Sequence, residues 1–256
     1  MWSRIKDPFA KPLDVLVVGP SGAGKTSFIQ TLCGISVAGL PRNPFSPKTL
    51  EIAGHAVNFI ELSDEENYSL KEMQRSKPLG VIIVVANGYY ANRLLEYRGI
   101  NDFDRFGDPF KFTDDFYKFP ELAGKNVHLH VLSFREGELR FLDNKFDMYL
   151  RTFYERNSRP LEWVLTIVNK ADLWWDKRAD VDKFYRNTYQ PALLKVLKKY
   201  HMTHGAMPIR KYFSSRIQRF FGNVYPSSAF DDDDRWRLND GLKETMAEAL
   251  SNSKLG

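Results

Sequence analysis

Cysteine is nearly absent: Cys33 is the single one in 256 residues. No disulfide can form within the chain, so stability must come from packing, and a reducing compartment is expected. Long apolar runs are missing too. No stretch approaches the roughly 18 consecutive apolar residues that cross a bilayer. The opening residues, MWSRIKDPFAKPLD, lack the apolar centre of a secretory signal. The expectation is a cytoplasmic protein with no membrane span. A strong charge of one sign is also lacking. The 37 Lys and Arg against 32 Asp and Glu leave +5, a slight basic bias that fits a solvated surface and is too small to argue for nucleic acid, which is not an expected partner. The densest basic region, Lys195 to Arg219, overlaps apolar runs and carries no function by itself. What is present is ordinary globular material, 43% hydrophobic and 27% charged, and enough of it for a sizeable core.

Short apolar runs recur along the chain. Leu13 to Val18 reads as a parallel strand buried on both faces, and the next segment sets Phe28, Ile29, Leu32 and Cys33 at helical spacing. A loop with three prolines comes next, in ISVAGLPRNPFSP. TLEIAGHAVNFIEL then reads as a hairpin joined at Ala53-Gly54-His55. The polar stretch SDEENYSLKEMQRSKP is expected to carry a short helix. GVIIVVAN, WVLTIV (163–168) and IRKYFSS (209–215) are further strands. Helices are predicted over 136–156, over about 179–200 with an interruption at Pro191, and over about 237–251, where Leu242, Met246 and Leu250 share a stripe. Strands alternating with helices predict an α/β fold with a doubly wound, mostly parallel sheet flanked by helices. Residues 88–135 stand apart. Residues 101–119 hold six phenylalanines among charges without a period, and 126–134 reads as an extra strand. No repeat, linker or composition shift divides the chain, so the expectation is one domain over 1–256 with an insertion at about 88–135.

Between the first strand and the first helix stands Gly19-Pro20-Ser21-Gly22-Ala23-Gly24-Lys25-Thr26, a full match to G-x-x-x-x-G-K-[ST]. Phosphate oxygens need converging backbone N–H groups, and a glycine-rich turn supplies them. Gly22 and Gly24 permit close approach and positive φ, and the helix N-terminus adds its dipole. The predicted phosphate-binding residues are Gly19, Ser21, Gly22, Ala23, Gly24, Lys25, Thr26 and Ser27. Lys25 is expected at the β- and γ-phosphates, with the Thr26 hydroxyl on Mg²⁺.

A second motif, Asn169-Lys170-Ala171-Asp172, ends a later strand. A carboxylate there can accept from both N1–H and the N2 amine of guanine. Adenine lacks that donor pair, and a buried mismatch costs a few kcal/mol. GTP or GDP is therefore the expected ligand rather than ATP. Ser214-Ser215-Arg216 ends the next strand.

In the order GPSGAGKT, TLEIAGHAVNFIEL, NKAD, YFSSR, the sequence resembles the Ras-like branch of the translation-factor-related P-loop GTPases, over residues 13–87 and 136–216. The resemblance implies a single P-loop NTPase domain in which Asp172 reads the guanine edge and Asn169 braces the phosphate loop. It lays the Lys170 stem along the base and sets the Ser215 N–H at the guanine oxygen, within Ser214 to Arg216. SSR stands where the family has Ser-Ala-Lys, which a backbone donor tolerates. The resemblance further implies Thr49 and, through water, Glu61 as Mg²⁺ residues beside Thr26, and Lys25 and Glu65 as catalytic positions. The family's Asp-x-x-Gly is altered here to Glu61-Leu62-Ser63-Asp64, followed by Glu65 in place of a glutamine. Asp64 sets a carboxylate near phosphate, and an ionised Glu65 cannot donate a hydrogen bond.

The expectation is slow GTP hydrolysis by a molecular switch. Its protein effector or regulator would dock on the switch segments or the 88–135 insertion. The alternatives are a non-hydrolysing, nucleotide-bound interaction subunit and, more remotely, a P-loop ATPase. His128, His130, His201 and His204 lack the further ligands of a zinc site. Asp231 to Asp234 is read as a solvated loop before the last helix, and Trp174 and Trp175 as packing or insertion contacts rather than a ligand platform.

Overall fold

The structure, a computed structural model, describes residues 11–32, 48–62, 71–72, 76–88, 135–156, 161–169, 174, 178–200, 212–213, 232–251 and 253. Six strands among them form one sheet in the order β2-β3-β1-β4-β5-β6. They are β1 (Leu13–Val18), β2 (Lys48–Ile52), β3 (His55–Glu61), β4 (Gly80–Val85), β5 (Trp163–Asn169) and β6 (Tyr212–Phe213). All neighbours pair in parallel except the β2–β3 hairpin. That hairpin turns on Ala53 and Gly54, both at positive φ (52° and 81°), as a two-residue turn matching the twist of its strands requires.

Helices cover both faces, which is why the central strands β1, β4 and β5 are apolar at nearly every position, Asp14, Thr166 and Asn169 being the exceptions. On one face Leu16, Val18, Val81, Ile83 and Val85 meet α2 and α3, through Phe146, Phe153, Tyr185 and Leu193. The helix α2 covers 135–156 and α3 runs from Arg178 to Lys198. On the other face Val15, Val17, Ile82, Val84 and Ile167 meet α1 (Lys25–Leu32) and α4 (Asp232–Ser251), through Phe28, Ile29, Met246 and Leu250. Complete burial of an aliphatic side chain contributes about 1.5–3 kcal/mol, so these two clusters, rather than helix propensity, hold the layers together. The architecture is the expected α/β class, a mostly parallel sheet between helices.

Several local expectations change. Pro191 does not interrupt α3. A π turn, Tyr185–Tyr189, precedes it, and Pro191 falls at the start of the following α-helical stretch, Gln190–Lys198. A proline's missing N–H is tolerated where a helical register begins anew. A second π turn, Leu142–Phe146, lies inside α2. The last helix begins at Asp232, so most of the acidic run is its first turn rather than a loop before it; carboxylates favour that end of a helix. Of 209–215 only Tyr212–Phe213 is described as strand, and of the polar 63–78 segment Lys71 and Glu72 are helical. The 126–134 strand, the Phe-rich stretch, Trp175 and the four histidines lie outside the described residues. Among the described residues no helix is long and apolar enough to cross a membrane, and no group of three His, Cys, Asp or Glu gathers as a metal site.

Candidate phosphate and nucleotide site

The loop between β1 and α1 lies at the carboxyl end of the sheet, beside β4, where the two halves of the sheet diverge. Open α/β sheets bind ligands at that edge. Gly19 is fixed by crowding: its φ is 150°, and a Cβ there would stand 2.0 Å from the Val84 carbonyl oxygen of the neighbouring strand. Gly22 and Gly24 take φ of 76° and 88°, which a side chain would strain. The Ala23 N–H donates to Pro20 O at 3.2 Å and the Phe28 N–H to Gly24 O at 2.8 Å, so the turn passes directly into the helix.

Lys25 is only 7% exposed, and its ammonium donates to the carbonyls of Gly19 at 3.0 Å and Pro20 at 3.4 Å. A buried cation needs such partners. Here they hold the charge over the mouth of the loop. One residue on, the Thr26 hydroxyl donates to Glu61 Oε1 at 2.7 Å. Glu61 arrives there because it ends β3 and pairs in register with Val17 near the end of β1. A hydroxyl and a carboxylate in contact form the hard-oxygen donor set that Mg²⁺ prefers, so the residues present fit that ion.

Asn169 enters from the other side. Fully buried at the end of β5, it donates through Nδ2 to Ala23 O at 2.9 Å and to Gly24 O at 3.5 Å. Its own carbonyl accepts from the Trp174 indole at 3.0 Å. Trp174 is completely buried, in agreement with its reading as a packing residue.

Thr49 is not brought to this site. It is exposed on the outer strand β2, paired with Asn58, three positions short of Glu61 on β3. A strand advances about 3.3 Å per residue, so Thr49 stands roughly 10 Å back along the sheet and two strands from β1. Ser21 is exposed on the loop, and Ser27 lies in the first turn of α1. Asp64, Glu65, Lys170, Asp172, Ser214, Ser215 and Arg216 lie outside the described residues.

Sequence reasoning missed a buried polar cluster just past β4. Glu138, with no exposure, accepts from the Gly88 N–H at 3.1 Å and the Tyr185 hydroxyl at 2.6 Å. Tyr185 Oη also accepts from the Asn87 N–H at 3.0 Å, and Arg135 Nε donates to Asn87 Oδ1 at 2.7 Å. Tyr189 is buried nearby; desolvation and the Glu138 charge push its hydroxyl well above the usual tyrosine pKa. Two signals were in the sequence. Asn87-Gly88 is a turn dipeptide, with φ of 50° and 83°, and Glu138 stands on the buried stripe of α2, four residues before Leu142.

No family model and no curated protein sequence matches the chain. Among solved structures it is similar to the ADP-ribosylation-factor-like GTP-binding protein and small COPII coat GTPase SAR1 from Encephalitozoon cuniculi, in complex with GDP. The identity is 14%, covering 95% of this chain and 83% of that one, with a TM-score of 0.34. It is also similar to the signal recognition particle receptor SRb-GTP/SRX complex from Chaetomium thermophilum. There the identity is 15%, covering 90% of this chain and 99% of that one, with a TM-score of 0.36. These are likenesses of fold.

Proposed function

We propose that the chain binds a guanine nucleotide between the phosphate loop and the Asn169–Asp172 segment, hydrolyses GTP slowly with Mg²⁺, and acts as a molecular switch. The observation that carries the reading is the hydrogen bond from Asn169 to the Ala23 carbonyl, 146 positions apart in sequence. It ties the first residue of the guanine-type motif to the phosphate loop, which supports reading the two as parts of one site. A chance glycine turn and a chance N-K-x-D would have no reason to meet.

In this reading the backbone N–H groups of Gly19 and residues 21–27 hold the phosphates, and Lys25 turns its ammonium from the loop carbonyls to the β- and γ-oxygens. Thr26 and Glu61 would hold the magnesium ion, which when bound neutralises phosphate charge. Asp172 accepts from the guanine edge, the Lys170 stem covers the base, and the Ser215 N–H, within Ser214 to Arg216, meets the guanine oxygen. Hydrolysis is in-line attack by water, with Lys25 opposing the negative charge that develops.

One domain spanning 1–256 is also proposed, with 88–135 as an insertion. The bonds of Asn87 and Gly88 to Arg135 and Glu138 support it, because they tie the two ends of that segment together. Effector or regulator contacts are assigned to the insertion or the switch segments. A second reading, a nucleotide-bound subunit that does not hydrolyse, is favoured by one observation: Asp64 and Glu65 stand where the family carries glycine and glutamine.

Denaturing the purified chain and identifying the released nucleotide tests the reading. GTP or GDP is expected, and GTP should outcompete ATP. Asp172→Asn should weaken GTP and improve binding of xanthosine triphosphate, whose edge carries an acceptor in place of the amine. Equal affinity of the wild type for ATP and GTP would overturn the guanine assignment.

A further inference from the structure

Trp174 is completely buried, so its indole N–H needs an acceptor, and the acceptor it has belongs to the proposed site. Its indole N–H donates at 3.0 Å to the carbonyl of Asn169, the last residue of β5, and the same asparagine's side chain donates to the Ala23 carbonyl. The indole is held by the packed face of the sheet, in the cluster that includes Val168, Val181 and Tyr185. The position of its N–H is therefore set by the core rather than by the loop it serves. One bond thus ties the last residue of β5 to Trp174, five positions on, and fixes the two described residues that flank 170–173.

We propose that Trp174 is a positioning residue for base recognition, acting through Asn169. This rests on the proposal that Asn169 to Asp172 read guanine. The chemistry is economical. A buried strand-end carbonyl must find a donor, and a packed indole has few torsions of its own to lose. The donor comes from five residues on, so the bond that satisfies the carbonyl also sets the spacing of the two residues on either side of 170–173, the stretch that holds Asp172. Asn169 is held at both ends, by the core through its carbonyl and by the phosphate loop through its amide. The base-reading and phosphate-reading segments therefore share one fixed point.

The test removes the N–H and keeps the shape. Trp174→Phe leaves an aromatic ring, and the benzothiophene isostere of tryptophan, introduced at 174 by suppression, lacks only the donor. Should the phenylalanine variant fail to fold, the isostere carries the measurement. Binding of GDP and of inosine diphosphate, which lacks the N2 amine, is measured alongside thermal melting. In either variant the affinity for GDP should fall by about threefold to tenfold, as expected for one lost hydrogen bond. Inosine diphosphate should lose less, so the preference for GDP narrows while the melting temperature of the nucleotide-free isostere stays near that of the wild type. Parallel losses for both nucleotides, tracking a lowered melting temperature, would mean that the bond is merely structural and would overturn the proposal. Wild-type affinity and preference in the isostere would overturn it too, with the guanine reading intact. A wild type that does not prefer guanine would remove both.

Discussion

The Thr26 hydroxyl donates to Glu61 Oε1 over 2.7 Å, joining the first turn of α1 to the end of β3. The two residues are 35 positions apart, and the parallel register of β1 and β3 brings them together. If they hold Mg²⁺ as proposed, they act as a unit. Glu61→Gln and Thr26→Val should each raise the Mg²⁺ concentration needed for GTP binding, by about tenfold for a charged or hydrogen-bonded contact. The double variant should be little worse than the poorer single one, because contacting residues do not add. A Mg²⁺ titration of GTP affinity decides it; strictly additive losses would separate the two residues.

Lys25 invites a different test. Its ammonium donates to two loop carbonyls, so Lys25→Ala removes a cation and leaves those acceptors without that donor. The melting temperature should fall by no more than the loss of such a contact costs, about 1–3 kcal/mol, with the domain still folded. GTP affinity should fall by about 1.5–3 kcal/mol or more, the range of a charge-assisted contact. Calorimetry beside a melting curve reads both, and an unchanged affinity would exclude the loop as the phosphate site.

The sheet and its helices were legible because burial on both faces writes itself as apolar runs, as in Val15 to Val18 and Val81 to Val85. The phosphate loop was legible because its glycines answer a local backbone demand. Other features were not. The continuity of α3 through Pro191 depends on a π turn, which no simple 3.6-residue period announces. Thr49 was placed by motif order alone, and strand pairing put it elsewhere. The Glu138 cluster joins groups 47 and 50 positions apart, and a single sequence records no such pairing.

That cluster should matter to stability. Glu138→Ala would strand the Gly88 N–H and remove the acceptor of the Tyr185 hydroxyl, both buried. Each unsatisfied buried group costs about 1–3 kcal/mol, so a loss of about 2–5 kcal/mol is expected in urea unfolding. Glu138→Gln, which keeps one carbonyl oxygen, should cost less. Equal stability of wild type and Glu138→Ala would show that water replaces the carboxylate.

Asp147 gives a pH dependence with a definite sign. Burial opposes its charge, but the Lys199 hydrogen bond and charge, with Tyr200 and Arg151, outweigh that and hold its pKa below the usual carboxylate value. Lys199 Nζ stands 3.0 Å from Asp147 Oδ1, at the junction of α2 with the end of α3. A folded-state pKa below the unfolded one contributes stability above the unfolded value, and that contribution is lost as pH falls through the folded value. Lys199 is half exposed, so solvent limits the pair to about 0.5–1 kcal/mol. Wild type should exceed Asp147→Asn by that amount at neutral pH, and the gap should close below about pH 4. A gap of the same size at pH 3 would assign the effect to packing instead.

On the proposed reading, the residues just after β3 should set the rate of turnover. The strand delivers Glu61 to Thr26, and in sequence Asp64 and Glu65 come next, where the resemblance sets a glycine N–H and a water-orienting glutamine. Ras hydrolyses GTP unaided at roughly 3–5 × 10⁻⁴ s⁻¹ with that glutamine in place. If the resemblance holds, an ionised Glu65 could accept from water but not donate to the transition state, and Asp64 would add negative charge where more develops. Each lost or reversed contact removes about 1–3 kcal/mol, and about 1.4 kcal/mol is tenfold in rate. Unaided hydrolysis should therefore run at or below the slow Ras value. Asp64→Gly with Glu65→Gln should raise it, while Lys25→Ala abolishes it. Single-turnover assays with Mg²⁺ measure all three. No gain in the double variant, with GTP still tightly bound, would favour the non-hydrolysing subunit over the switch; several turnovers per second in the wild type would mean that another group orients the water.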